Sequence, residues 1–285
     1  MPEMIKGAPV ARHADIVGYG RMGRALSGSL ARAGFRVRVW TPSLRGREAE
    51  GIELCEGPIP PGFPSGEFVF LAVSDRAIPT VARSLSVREG QIVAHLSGAA
   101  GLDVLEAAAA CGAEIGSLHP LVSVPPGASE LSPCHAAVDG TETARRALED
   151  LARALGLRPF FVPPEMRGLY HAAASLAANG LVALSSLAAR LFERLGVARP
   201  EAVEALVPLL GSAVDALRSR GLPAALTGPV ARGDAETVRR HLQVLESTDA
   251  EAAYRALMLE ALALSRELGE ASAEALDAIA TLLKS

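Results

Sequence analysis

The chain has 285 residues, 49% hydrophobic and 21% charged, with a formal net charge of −4 at pH 7. At roughly 150 residues per domain this is a globular chain of about two domains, large enough to build cores without metal or disulfide staples. A slightly acidic chain with no basic run excludes a nucleic-acid partner, which needs a concentrated positive field.

The first half alternates short apolar runs with helical patterns. Asp15-Ile-Val-Gly reads as a strand entering a glycine turn, and Arg21 to Ala33 as a helix. Arg36 to Trp40, Glu67 to Val73 and Gln91 to Leu96 read as further strands. A helical stretch from Leu102 to Cys111 leads to a strand at Glu114 to His119. Ala136 to Asp139, a helix from Glu142 to Leu155, and Pro159 to Val162 continue the pattern. Strands spaced by helices imply βαβ units and a mainly parallel sheet. Gly57 to Gly66 and Val124 to Pro133 are loops by their Pro and Gly content.

Beyond Pro163-Pro164 every segment reads as helix: Glu165 to Leu195, Pro200 to Arg220, Asp234 to Leu245, Asp249 to Leu268 and Ser272 to Leu283. Pro208 is expected to kink or split the second of these. The predicted fold is α/β, a doubly wound Rossmann sheet over residues 1–163 followed by an all-helical domain over 164–285. Leu169 to Ala189 has no charged residue and reaches the length a bilayer needs. Its His, Ser, Asn and Gly content predicts instead a buried central helix, with no membrane partner. The start has no apolar secretory core. Cys55, Cys111 and Cys134 are odd in number, widely spaced and outside any CxxC. These features predict a cytoplasmic protein with neither disulfides nor a metal site.

Directly after the first strand stands Gly18-Tyr19-Gly20-Arg21-Met22-Gly23. In a strand–turn–helix setting the first glycine permits the tight turn. The second lets a pyrophosphate approach the backbone, and the third lets helix and strand pack closely. The helix N-terminus then offers unpaired N–H groups to the phosphates. An NAD enzyme usually has an acid about 20 residues on, for the ribose hydroxyls. Here Thr41, Ser43 and Arg45 follow the second strand instead, which favours the 2′-phosphate of NADP over NAD. Val73-Ser74 and Ser97-Gly98 follow later strands, where loops line the ligand crevice. They are expected beside the cofactor, with Asp75 serving as a helix N-cap.

His119 ends a strand at the same sheet edge, where it can move a proton near neutral pH or serve structurally. His171, Ser175 and Asn179 recur every four residues and form one polar stripe on a helix. In an apolar helix such a stripe needs partners, either neighbouring helices or a ligand. Leu226 to Asp234 is a Gly/Pro-shaped loop in which Thr227 and Arg232 can hold an anionic substrate group, with Asp234 capping the next helix. His241 is expected at a surface or an interface.

The stretches GYGRMG, FLAVSDRAI, HLSGAAG, SLHPLVS, YHAAASLAANGLVAL and ALTGPVARGDAETVRRHL run in order from residue 18 to 242. Together they resemble bacterial Rossmann-fold proteins with a helical C-terminal domain of unknown function, often labelled NADP oxidoreductases of the deazaflavin-dependent type. That group is similar in turn to ketopantoate reductase, pyrroline-5-carboxylate reductase, prephenate dehydrogenase and the β-hydroxyacid dehydrogenases. The resemblance implies a substrate cleft between the domains and a second domain that often dimerises. Several members of the wider group carry Lys-x-x-x-Asn on the first long helix of that domain. Here Asn179 matches the Asn but Ser175 stands at the Lys. The only lysines are Lys6 and Lys284, so a lysine mechanism does not carry over.

The sequence therefore predicts an NADP(H)-dependent oxidoreductase and a homodimer. Its substrate is a small, anionic carbonyl, hydroxyl or imine compound. Either His119 or His171 moves the proton, and Ser175 and Asn179 bind the substrate. The rival reading is an NADP(H)-binding redox sensor without turnover. Hydride exchange with a deazaflavin is disfavoured by an aromatic content of 4%, too little for a second flat cofactor.

Overall fold

The computed structural model describes residues 12–44 and 49–285. The chain falls into two compact units, Met1–Ala178 and Asn179–Ser285. The last strand ends at Phe161, and the first unit also keeps the opening turns of the helix that follows.

Among the described residues the first unit holds an eight-stranded sheet of order β3-β2-β1-β4-β5-β6-β7-β8. The strands are β1 His13–Val17, β2 Arg36–Thr41, β3 Ile52–Glu56, β4 Phe68–Leu71, β5 Ile92–His95, β6 Glu114–Pro120, β7 His135–Gly140 and β8 Arg158–Phe161. From β3 to β6 every pairing is parallel. Val17 of β1 lies opposite both Trp40 and Leu71, so the ends of three strands are level. The chain order reverses between β1 and β4, the switch point where doubly wound sheets bind ligands. β7 runs antiparallel to β6, and β8 parallel to β7. No helix lies between β6 and β7, so that connection needs no crossover to the opposite end.

α1 (Arg21–Arg32) and α4 (Glu142–Ala154) cover the sheet. Leu26, Leu30, Leu148 and Leu151 pack with Ile16, Phe68, Phe70 and Leu118 in one buried cluster. The short α2 (Ile78–Ser84) and α3 (Glu106–Ala110) join Val69, Leu71 and Val93 in a second. Thr141 caps α4 by accepting from the Ala144 N–H, as hydroxyls do at N-caps.

Several expectations need correction. β3 and α2 were not anticipated. Residues 102–111 form a 3₁₀ turn, Leu102–Leu105, before the short α3. Pro208 neither splits nor ends its helix. α6 runs unbroken over Arg199–Arg220. Among the described residues its Gly221 end is closed by the N–H bonding Leu217.

The long α5 (Arg167–Arg194) begins in the first unit and ends in the second. It is not the buried helix its composition predicts. It is long and apolar enough to cross a membrane by length and composition, yet only 6% of its most apolar window is buried. Leu176 is 77% exposed and Val182 70%. The second unit continues with α6, α7 (Ala235–Leu245), α8 (Glu251–Leu268) and α9 (Ala273–Lys284). Val238, Leu242, Leu262, Leu276, Ile279 and Leu283 build its main core.

Candidate functional site

The glycine turn has the geometry its spacing predicts. Gly18 has φ +105°, and a Cβ there would lie 2.4 Å from the Ala72 carbonyl oxygen. A Cβ at Gly23 would lie 2.1 Å from the Gly18 oxygen, so only glycine lets α1 close on the turn. Around Gly20 nothing approaches a Cβ within 4 Å. That glycine is open on its outer side, where a phosphate would need to reach the backbone and the first N–H groups of α1. Arg21 is exposed, while Tyr19 is buried in the sheet cluster and Met22 packs against it.

Beside this turn lies an apolar cavity of about 370 Å³ lined by Gly18, Trp40, Pro42, Ile59, Val73 and Val81 among others. Trp40 closes one wall. Its indole N–H donates to the carbonyls of Gly57 (3.0 Å) and Pro58 (3.1 Å). A flat aromatic group fits such a wall, with the pyrophosphate at the neighbouring turn. The sequence signal for it was the chain's only Trp, standing where a ribose-binding acid usually stands. Thr41 is buried, its hydroxyl bonding the Ser43 carbonyl at 3.4 Å. Ser43 itself is exposed. Arg45 lies outside the described residues.

Ser74 and Asp75 follow β4. Ser74 takes the N-cap position of the Asp75–Ala77 turn without a side-chain bond, so Asp75 is not the cap. Its carboxylate instead accepts from the Ser97 hydroxyl at 2.8 Å. The same hydroxyl accepts the N–H groups of Ala99 and Ala100. Ser97 therefore spends its hydrogen bonds on Asp75 and on its own loop, which holds Gly98. Beneath it, His95 Nδ1 accepts the Ser97 N–H, and its Nε2 faces the Gly101 carbonyl at 3.2 Å. Burial pushes the His95 pKa down to about 4, with Arg167 adding to the effect. His95 is therefore a neutral structural group.

Two histidines meet at Gly98. A Cβ there would lie 2.9 Å from His119 Nε2 and 2.9 Å from His171 Cδ2. The two imidazole centroids are 6.4 Å apart. His119 Nδ1 and the Tyr170 hydroxyl are 2.6 Å apart, with the rings edge to face. The structure thus brings His119, His171 and Gly98 together and adds Tyr170. Burial, then His171, then Arg167 push the His119 pKa down to about 4, with Asp75 opposing. Burial pushes the Tyr170 phenol up to about 12.

Arg167, at the start of α5, carries no signal in the sequence, yet it anchors this cluster. Its side chain is 2% exposed. One guanidinium nitrogen donates to the Ser97 carbonyl at 3.1 Å, and another lies 3.4 Å from the Asp139 carboxylate. Nε has no partner.

Farther along α5, Ser175 is half-buried and Asn179 exposed. The loop 226–234 lies in the second unit. There Asp234 caps α7 as predicted, accepting both the Thr237 N–H (2.9 Å) and its hydroxyl (2.6 Å). Gly233, at φ +71°, presses against Ala275 and Ala271. Ser265 holds the loop by donating to the Val230 carbonyl at 3.0 Å. Thr227 and Arg232 are exposed. His241 is not a bare surface group, because it pairs with the Tyr254 hydroxyl at 2.8 Å.

Comparison with known proteins places this geometry. Residues 5–120 match the Rossmann-like domain, and residues 134–261 match a domain of unknown function, DUF2520. No curated protein matches the chain. Solved structures share its fold along most of its length. One is a Bacteroides fragilis protein assigned as an NADP oxidoreductase. It is 19% identical over 88% of this chain and 98% of that one, with a TM-score of 0.70. A second is protein TM1727 of Thermotoga maritima, 26% identical over 89% and 98%, with a TM-score of 0.70. A third is a pyrroline carboxylate reductase of Plasmodium falciparum, solved with NADP bound. It is 12% identical over 93% and 98%, with a TM-score of 0.57. On the two domain matches together, the chain belongs to the proteins that join a Rossmann-like domain to a DUF2520 domain.

Proposed function

We propose that the protein is an NADP(H)-dependent oxidoreductase acting on a small carbonyl, hydroxyl or imine compound. The observation that carries this reading is the glycine turn. It is closed by sterics at Gly18 and Gly23 and open at Gly20, at the switch point of the sheet. Gly20 and the start of α1 would hold the pyrophosphate, and the Trp40 cavity the adenosine. Arg45 would bind a 2′-phosphate, which is the ground for NADP over NAD. The cofactor supplies a hydride. His119 or His171 would move the accompanying proton, Ser175 and Asn179 would hydrogen-bond the substrate, and Thr227 and Arg232 would hold an anionic group. A non-catalytic NADPH-binding sensor is the second reading, favoured by Ser175 at the position where relatives of the wider group carry lysine.

Calorimetric titration with NADPH and NADH tests the proposal. Gly20→Ala keeps an ordinary φ of −72° and meets nothing within 4 Å, so folding should be unchanged. Its methyl would hold the pyrophosphate off the backbone and weaken NADPH binding about tenfold or more, roughly 1.4 kcal/mol. Unchanged affinity in this variant, or no binding by the natural chain, overturns the dinucleotide reading. Oxidation of bound NADPH by a carbonyl or imine compound separates the enzyme from the sensor.

The exposed apolar side chains of α5 and α6, among them Leu176, Val182 and Leu209, are proposed to be covered by a second copy of the chain in the cytoplasm. Exposed apolar surface of this kind marks an interaction site. Size-exclusion chromatography with light scattering should give twice the chain mass, and a monomer would overturn the dimer.

A further inference from the structure

We infer that Tyr170 is a positioning residue: its phenol donates to His119 Nδ1 and so fixes the neutral imidazole with its proton on Nε2, as a donor to a substrate carbonyl oxygen. The inference rests on the oxidoreductase reading for its substrate, but not for its geometry. The Tyr170 hydroxyl and Nδ1 are 2.6 Å apart, a short hydrogen bond that one of the two must donate. If Nδ1 carried the proton, the phenolic proton would have no acceptor among the described residues, in a half-buried place. An unpaired buried donor costs about 1–3 kcal/mol. With the phenol donating, its proton is paired with Nδ1 and the ring's own proton sits on Nε2, the atom that solvent reaches. Nε2 has no hydrogen-bond partner among the described residues and is not sealed from solvent. It lies at Gly98, directly after Ser97, in the loop that follows β5.

The chemistry around the ring agrees. The titratable groups that face His119 are Tyr170, His171, Arg167 and Asp75. Asp75 is occupied by the Ser97 hydroxyl, and Arg167 is a buried cation. Burial holds the ring neutral down to about pH 4, so an imidazolium is not the acid at neutral pH. A neutral donor suits an oxygen on which negative charge grows as the C=O bond opens. When Nε2 gives its proton to that oxygen, the phenolic proton crosses to Nδ1 and the ring stays neutral. Nε2 then takes a proton from water and the Nδ1 proton returns to the phenolate oxygen, which restores the starting pair. Phe160 packs against the Tyr170 ring, its centroid 5.8 Å away, and holds the phenol in place.

Long-range proton–nitrogen correlation on the full chain with labelled histidine tests this directly. His119→Gln identifies the His119 signals by their loss. At pH 7 His119 should be neutral and protonated on Nε2, and in Tyr170→Phe both tautomers should appear while the melting temperature stays close to that of the natural chain. A ring protonated on Nδ1, an imidazolium, or a tautomer indifferent to Tyr170→Phe overturns the inference. The readout needs neither cofactor nor substrate, so it stands apart from any failure of NADPH binding. With a carbonyl substrate in hand, Tyr170→Phe should lower kcat about tenfold or more while NADPH affinity holds, as expected for one lost hydrogen bond in the transition state. Unchanged kcat would overturn the carbonyl donor role.

Discussion

Replacing Arg167 by methionine is expected to destabilise the protein by about 3–5 kcal/mol, the usual result of removing one partner from a buried ion pair. The side chains of Arg167 and Asp139 are 2% and 5% exposed. Methionine fills much of the volume but leaves the Asp139 carboxylate buried, with the Gly140 N–H as its remaining partner. The Ser97 carbonyl loses its donor as well. The pair is not optimised: its separation is 3.4 Å, and Arg167 Nε is unpartnered. Burial accordingly lowers the guanidinium pKa despite Asp139, although arginine stays charged. The double variant Arg167→Met with Asp139→Asn should therefore recover a large part of the loss. Urea unfolding of the single and double variants measures both effects. A single-variant loss below about 1 kcal/mol would show that the guanidinium does not clamp the loop. Lys in place of Arg should not rescue the site, because an ammonium cannot span both Ser97 and Asp139 as the planar fork does.

The parts of this fold that were legible in the sequence are those fixed by local chemistry. The turn at Gly18 to Gly23 follows from residue size alone: a Cβ has no room at Gly18 or Gly23 and open space at Gly20. The strands β1, β4, β5 and β6 announce themselves by short apolar runs, and β2 by the alternation of Arg36 to Trp40. β3 did not, because it is a sheet edge whose side chains are half exposed and include two glutamates. α2 is only seven residues long and carries Pro79 in its first turn, so no helical period can show. Pro208 stands inside α6 without ending it. Of the site, the histidines stood out by residue type. Tyr170 stands 51 positions from His119, and Arg167 70 positions from Ser97. Such pairings belong to the tertiary fold, and no spacing in the sequence records them. The composition of α5 predicts a core helix. Composition does not record which of its side chains the fold leaves exposed, as it does Leu176 and Val182.

His119→Ala is expected to lower turnover by about 10²- to 10⁴-fold, the range for loss of a positioned acid–base group, with NADPH affinity nearly unchanged. The ring sits against Gly98 rather than at the glycine turn, so its loss removes a proton donor and leaves the proposed phosphate cradle intact. His171→Ala should have a smaller effect, since His171 is exposed and meets His119 edge to face rather than through a hydrogen bond. The pH profile separates the two residues further. Burial, His171 and Arg167 hold the His119 pKa at about 4. The neutral donor therefore persists as pH falls through 6.5, the ordinary histidine value, and is lost only on approach to pH 4. The rate of carbonyl reduction should be flat between pH 6 and 8 and decline in the acid range below. Turnover unaffected by His119→Ala, together with an acid limb that vanishes in His171→Ala, would move the proton transfer to His171. Unchanged turnover in both variants would remove histidine from the mechanism. The neutral ring also sets the direction of the electrostatics. It donates to an oxygen gaining negative charge without adding a cation beside Arg167, whose buried charge already lies within range of the ring.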